Sequence, residues 1–425
     1  MHSPQSRLLA SSVAALVLLV SIATPVFAAE SLTLNEVINA AVNNNPTVIE
    51  SQKRWEEKTY RVPIAKALPN PKFGIMKDDI PTGTLNPTKG MMTEYTLSQE
   101  FMYPGKLSLM GKMAANDAAM AQGTYQDKRI QTYVEAKQAY YDLLYAAKAL
   151  EIGKENQQLM GQLSKIAQVN YSTGMVPLQD TLRAQTEYSK MTTDLLGMTS
   201  MEAVAKAKLN TLMGRSADME LAVKEEFNAP PPNFDLAGLQ NTATNIKPAL
   251  QGMQSQVAMA ENGVALAKKQ SLPDFELRLG YKDSKDEMTS NTWKVELMAM
   301  LPIWSGKNKA EVQTATANLE ASQAALTSMV NMTGLDVQMA LTEAQTAWRQ
   351  IDLFKNTIVP QAEQSYQAAV VAYTNGKADF MAVLDSLTTM RNAKLGYYKA
   401  KIDYEKAAAS LEKAVGKPLF NNIGQ

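Results

Sequence analysis

Carboxylates and lysines are the only reactive side chains that this sequence offers in number. There is no cysteine, and the single histidine is His2. Without them the usual zinc sites, cysteine nucleophiles and Ser-His-Asp triads cannot be assembled. The 25 methionines carry thioethers able to hold Cu(I), but only Met91-Met92 forms an adjacent pair. Methionine is equally a flexible packing residue. No motif calls for a cofactor or a resident metal, and no acid–base constellation stands out. The chemistry left is that of charge and shape, and the question becomes which elements arrange them.

The opening residues read as an export signal. Arg7 is the only formal charge, Leu8 to Val20 is apolar, and Val26-Phe27-Ala28 suggests cleavage before Ala29. A retained membrane anchor is the alternative, although the apolar run is short for a spanning helix. Removing residues 1–28 leaves 41 basic residues (42 − 1) against 42 acidic ones. A balance near zero gives no reason to expect nucleic acid as a partner.

The mature chain is written twice. Pro69 recurs as Pro273 (273 − 69 = 204) and Gly105-Lys106 as Gly306-Lys307 (306 − 105 = 201). The turn Tyr171-Ser172-Thr173-Gly174 recurs as Tyr373-Thr374-Asn375-Gly376, and Gly214 recurs as Gly416, both at 202 (376 − 174; 416 − 214). The expected organisation is a first repeat over 29–213, a linker over 214–234 containing Pro230-Pro231-Pro232, a second repeat over 235–417, and a tail over 418–425.

Each half predicts a helix, two strands, a very long helix, a tight turn and a further helix. The strands are expected at Lys72–Lys77, Thr93–Phe101, Phe275–Tyr281 and Thr292–Leu301. In the last, Trp293, Val295, Leu297 and Leu301 alternate with Lys294 and Glu296. Period two puts the apolar side chains on one face and the charges on the other. That pattern suits a membrane β-barrel, apolar toward lipid and polar toward a lumen. It suits a half-exposed soluble sheet equally well. Four strands cannot close a membrane barrel, and open edges are not tolerated in lipid. A membrane form must therefore share one barrel among several chains, and three would supply about twelve strands.

No proline falls between Lys106 and Ser172, which as one helix would reach about 100 Å. Within it Tyr133, Ala136, Tyr140, Leu143, Ala147 and Leu150 step by three and four, the spacing of a coiled coil. Its repeat mate runs from Lys307 to Tyr373, interrupted only by Pro360. Shorter helices are expected at Leu178–Met213 and Phe380–Val415, and opening helices at Leu32–Lys66 and Leu236–Gln270. A non-transporting periplasmic coiled-coil scaffold would account for these helices, but not for the strands between them.

With this layout the sequence closely resembles the TolC-like outer-membrane efflux family over essentially the whole mature chain. The most specific stretch is Ala372-Tyr373-Thr374-Asn375-Gly376, then Val383-Leu384-Asp385, Ala393, Tyr397 and Asp403-Tyr404. Gly174 followed six residues later by Asp180 matches as well. The resemblance implies a mainly α protein with a small membrane β part. Its form would be a homotrimeric α-helical barrel of long coiled-coil hairpins, continuous with a 12-stranded outer-membrane β-barrel, four strands per chain. It further implies an exit duct that conducts passively across outer-membrane lipid and periplasm, with a periplasmic adaptor and an inner-membrane efflux pump as partners. Ala67-Leu68-Pro69-Asn70-Pro71 and the run from Leu97 to Lys106 look like the heavy-metal branch.

The resemblance also assigns residues. Asp385 would form an acidic ring near the periplasmic tip, a device for attracting cations; the alternative is a solvated surface acid. Asp180 and Tyr373 would tie neighbouring hairpins together at a closed gate, or Tyr373 would be ordinary hairpin packing. Gly174 and Gly376 permit positive φ in tight turns, and the same turns would dock the adaptor. Two departures stand out. Ala382 replaces an acid that some relatives place three positions before Asp385, and Ala378 replaces a basic residue often found after the second turn. No lipid-attachment cysteine is present.

Overall fold

The computed structural model describes residues 31–227, 229–285 and 290–419. The export segment 1–28 and most of the 418–425 tail lie outside the described residues. The first half comprises β1 (Ser31–Leu32), α1 (Leu34–Asn44), α2 (Pro46–Lys66), β2 (Lys72–Asp78), β3 (Met92–Phe101), α3 (Lys106–Ser172) and α4 (Leu178–Leu212). The short β4 (Ala222–Val223) pairs in parallel with β1. The second half comprises α5 (Leu236–Ile246), α6 (Pro248–Gln270), β5 (Asp274–Ser284), β6 (Thr292–Met300), α7 (Ser305–Leu353), a π turn (Phe354–Ile358), α8 (Val359–Thr374) and α9 (Phe380–Val415).

The opening helix expected in each half is two helices, split just before a proline. Asn45 and Lys247 are extended and Pro46 and Pro248 start new helices. A residue before proline is pushed out of the α region, while proline itself suits the first helical position. Asn45 stabilises the corner twice: its side chain accepts from the Thr47 amide at 2.9 Å and donates to the Leu212 carbonyl at 3.0 Å.

The strands are where the alternation put them, and the two pairs join edge to edge in one sheet. The order is β2-β3-β5-β6, antiparallel throughout. Its register lines up like faces across all four strands. Ile75, Tyr95, Tyr281 and Trp293 form one apolar row, and Phe73, Leu97, Leu279 and Val295 form the next. The opposite face carries Glu94 opposite Lys282 and Arg278 opposite Glu296.

α3 runs unbroken over 67 residues, as the absence of proline predicts. Its counterpart passes Pro360 without ending, because the π turn just before it widens the coil where proline offers no N–H. A π turn adds one residue, which accounts for the repeat spacing growing from 201 to 202 along this helix (306 − 105; 376 − 174).

α3 is the spine and packs against α1, α2, α4, α6 and α9. Tyr140, Tyr141, Leu143 and Leu209 centre one core cluster, while Leu239, Val337 and Leu411 centre another in the second half. A buried ion pair crosses between the halves: Lys137 on α3 meets Glu412 on α9 at 2.8 Å, with side chains 3% and 1% exposed. Breaking such a pair from one side costs about 3–5 kcal/mol, because a charge is left stranded in low dielectric. Glu412→Ala should therefore lower thermal stability in detergent by that order, and Lys137→Met with Glu412→Leu should recover most of it. Equal loss in the single and double variants would show that the charges are not what matters at this contact.

Candidate functional site

Two hairpin tips stand side by side at the end of the long helices. At the first, Gly174 has φ +75°, and the Met175 amide donates to the Asn170 carbonyl at 2.9 Å. At the second, Gly376 has φ +65°, and the Lys377 amide donates to the Ala372 carbonyl at 2.8 Å. A Cβ at either glycine would meet nothing within 4 Å. The requirement is therefore one of backbone handedness, not of crowding, and the turns are open to contact. Val169, Met175, Leu182 and Val371 are apolar and exposed around them.

Tyr373 and Asp180 come together across the two hairpins of one chain. Tyr373 is fully buried on α8, edge-on to Phe380 at 5.7 Å, in a cluster with Leu163, Ala184, Val383 and Leu387. Its hydroxyl has no hydrogen-bond partner. Burial first, and the nearby Asp180 carboxylate second, push this hydroxyl up to about 12. Asp180 lies in the first turn of α4. Its carboxyl is raised, mainly by burial and then by the Asp379 carboxylate, with Arg183 pulling the other way. The arrangement holds a buried donor beside an acceptor with the bond between them unmade.

Asp379 escaped the sequence reading. It is the N-cap of α9, where its side chain accepts from the Ala382 amide at 2.8 Å. An aspartate just ahead of a helix start was the available signal. In the sequence Lys106 stands out only as a landmark of the repeat. It is 2% exposed and binds both carboxylate oxygens of Asp274 at 2.9 Å, locking α3 to the start of β5. Asp385 sits exposed in the second turn of α9. Among the described residues no group of three or more histidine, cysteine, aspartate or glutamate side chains is placed to hold a metal ion.

The sheet at the other end is turned inside out relative to a soluble protein. On its apolar face Phe73, Trp293, Val295 and Leu297 are 66–78% exposed, while Glu94 and Ser98 on the polar face are each 8% exposed. Apolar face outward, polar face inward, with very long helices running from the strand ends, is the layout of a membrane duct wall. A model of the outer membrane efflux protein family matches residues 37–215 and again 239–417. The chain belongs to that family.

Its relatives include the cobalt-zinc-cadmium resistance protein CzcC of Cupriavidus metallidurans, 22% identical over 377 residues that cover 88% of each chain. Outer membrane protein TolC of Escherichia coli is 22% identical over 312 residues, 69% of this chain and 63% of TolC. Among solved structures, CusC superimposes with a TM-score of 0.80 at 16% identity, covering 92% of this chain and 93% of CusC. The MtrE outer membrane channel of Neisseria gonorrhoeae gives 0.75 at 16% identity, over 91% of this chain and 89% of MtrE. At such identities the structural likeness carries the fold. The efflux family places the chain in the outer membrane, and it works by passage, not by catalysis.

The raised acid at the tip has a pH consequence. Asp180 binds its proton more tightly in this packing than it would when solvated. The packing is therefore penalised above the raised value and relieved as pH falls through it. Amide exchange over residues 170–184 and 373–387, corrected for its intrinsic pH dependence, should slow on going from about pH 7 to about pH 4. Asp180→Asn should abolish the difference; persistence in that variant would assign the effect to another group.

Proposed function

We propose that this chain is the exit duct of a tripartite efflux system, three copies closing one twelve-stranded barrel in the outer membrane. The observation that carries the proposal is the four-stranded sheet with an exposed apolar face and two open edges. Three copies remove the edges and leave the polar faces lining a lumen. The helices then form a tube of about 100 Å across the periplasm. The turns at Gly174 and Gly376, with their exposed apolar neighbours, are the surface offered to a periplasmic adaptor, which links the duct to an inner-membrane pump.

Metal ions are the favoured cargo, on the likeness to a protein named for cobalt, zinc and cadmium resistance. Cargo choice then rests chiefly with pump and adaptor, while the duct conducts passively. Asp385, exposed near the tip, supplies one carboxylate per copy to an acidic ring that attracts cations.

Asp180 and Tyr373 hold the gate, each copy in the closed trimer making the hydrogen bond that is unmade in the single chain. A hydrogen bond to a charged group contributes about 1.5–3 kcal/mol, so three symmetric copies reach roughly 5–9 kcal/mol if they add. Moving a two-state gate from mostly closed to mostly open takes about 5.5 kcal/mol. Loss of all three bonds is enough to shift it, and loss of one is not. Ala378 supplies no further cationic lock.

Purified protein should be a trimer by mass in detergent and should form discrete channels in planar bilayers. A monomer that conducts would overturn the shared barrel. Asp385→Asn should weaken cation selectivity and block by multivalent cations at unchanged stability; unaltered selectivity would make it an ordinary surface acid. Tyr373→Phe combined with Asp180→Ala should raise resting conductance, and parental conductance in an intact trimer would release this pair from the gate.

A further inference from the structure

The two free edges of the sheet, β2 and β6, have a template inside the chain. Phe73 lies opposite Leu97 in the first hairpin, and Leu277 lies opposite Leu297 in the second. The hairpins therefore correspond with Leu97 on Leu297 (297 − 97 = 200) and Phe73 on Leu277 (277 − 73 = 204). The second spacing is also that of Pro69 and Pro273 at the preceding corner (273 − 69 = 204).

Between the hairpins, β3 meets β5 with Leu97 opposite Leu279 and Glu94 opposite Lys282. We propose that a second copy of this chain repeats this junction, β6 of one copy pairing antiparallel with β2 of the next in the register the template dictates. Leu97 becomes Leu297 and Leu279 becomes Ile75, so Leu297 lies opposite Ile75 of the next copy. Glu296 then lies opposite Met76 of the next copy, and Lys294 opposite Asp78 of the next copy. The proposal rests on the shared-barrel reading and specifies its seam.

Two features of the residues themselves agree with that register. Parity is right: Val295 and Leu297 join Phe73 and Ile75 on the lipid face, whereas a slip of one residue would turn one strand's apolar set into the lumen. Charge is right as well. The pair at this level inside the chain is Glu94 with Lys282, and across the seam it is Lys294 with Asp78, the same contact with its signs exchanged. Lys294 has a side chain 62% exposed, and Asp78 is exposed on the opposite edge strand. A slip of two residues in one direction would set Glu296 opposite Asp78, and like charges directly opposed destabilise a strand pair.

The absence of native cysteine makes the seam directly testable. Glu296→Cys with Met76→Cys places two thiols opposite each other on the polar face, within the Cα spacing a disulfide accepts. Mild oxidation of the trimer should give covalent dimers and trimers and nothing larger, about tenfold faster than the slipped pair Glu296→Cys with Asp78→Cys. In a cysteine-free background Lys294→Asp should lower trimer yield, and adding Asp78→Lys should restore it. Faster linking by the slipped pair, or no linking in protein that is trimeric by mass, overturns the register while leaving the shared barrel standing. Protein that is monomeric by mass in detergent overturns both.

Discussion

Inside a bilayer every backbone amide and carbonyl must find its partner within the protein, because hydrocarbon supplies none. The four-stranded sheet meets that demand on both sides of β3 and β5 and on only one side of β2 and β6. Its apolar side chains face outward, the polar ones inward, and the open edges cannot persist in lipid. Closure by further copies follows from this one constraint. The doubled sequence follows too, since two similar halves in each chain allow one kind of junction to be used all the way around. The helices inherit their places from the strands: α3 leaves the end of β3 and is fastened to the start of β5 by the ion pair of buried Lys106 with Asp274.

Much of this is legible without coordinates, and for physical reasons. A period-two run such as Trp293 to Leu297 admits one local structure, and its ends are marked by turn residues. The long helix is legible because nothing between Lys106 and Ser172 can stop it. What could not be read is mostly non-local. The pairing of β3 with β5 joins residues more than 170 positions apart (275 − 101 = 174) and leaves no periodic trace. The Lys137–Glu412 pair joins two ordinary helical positions 275 apart. The corners at Asn45 and Lys247 are local, but a proline reads equally as a continuing helix start or as a break. The π turn announced itself only as a one-residue change in repeat spacing.

The tip shows a different balance. Gly174 and Gly376 are readable as turns because positive φ favours glycine. Asp180, Tyr373 and Asp385 carry no local signal that separates them from surface acids or packing tyrosines, and only the family pattern singles them out. Coordinates add what the pattern lacks: a fully buried Tyr373 hydroxyl with no partner, an Asp180 carboxyl raised by burial, and Asp379 across from it. A donor and an acceptor held close without a bond between them are suited to a contact that is made and broken.

The central claim is that the apolar face of this sheet lies against lipid. Single nitroxides introduced in turn from Trp293 to Met298 of β6, on a background free of native cysteine, test it directly. In reconstituted protein, accessibility to oxygen should peak at 293, 295 and 297, and accessibility to a water-soluble paramagnetic ion at 294, 296 and 298. Water accessibility that is uniform along the strand, or highest at the apolar positions, would contradict the account.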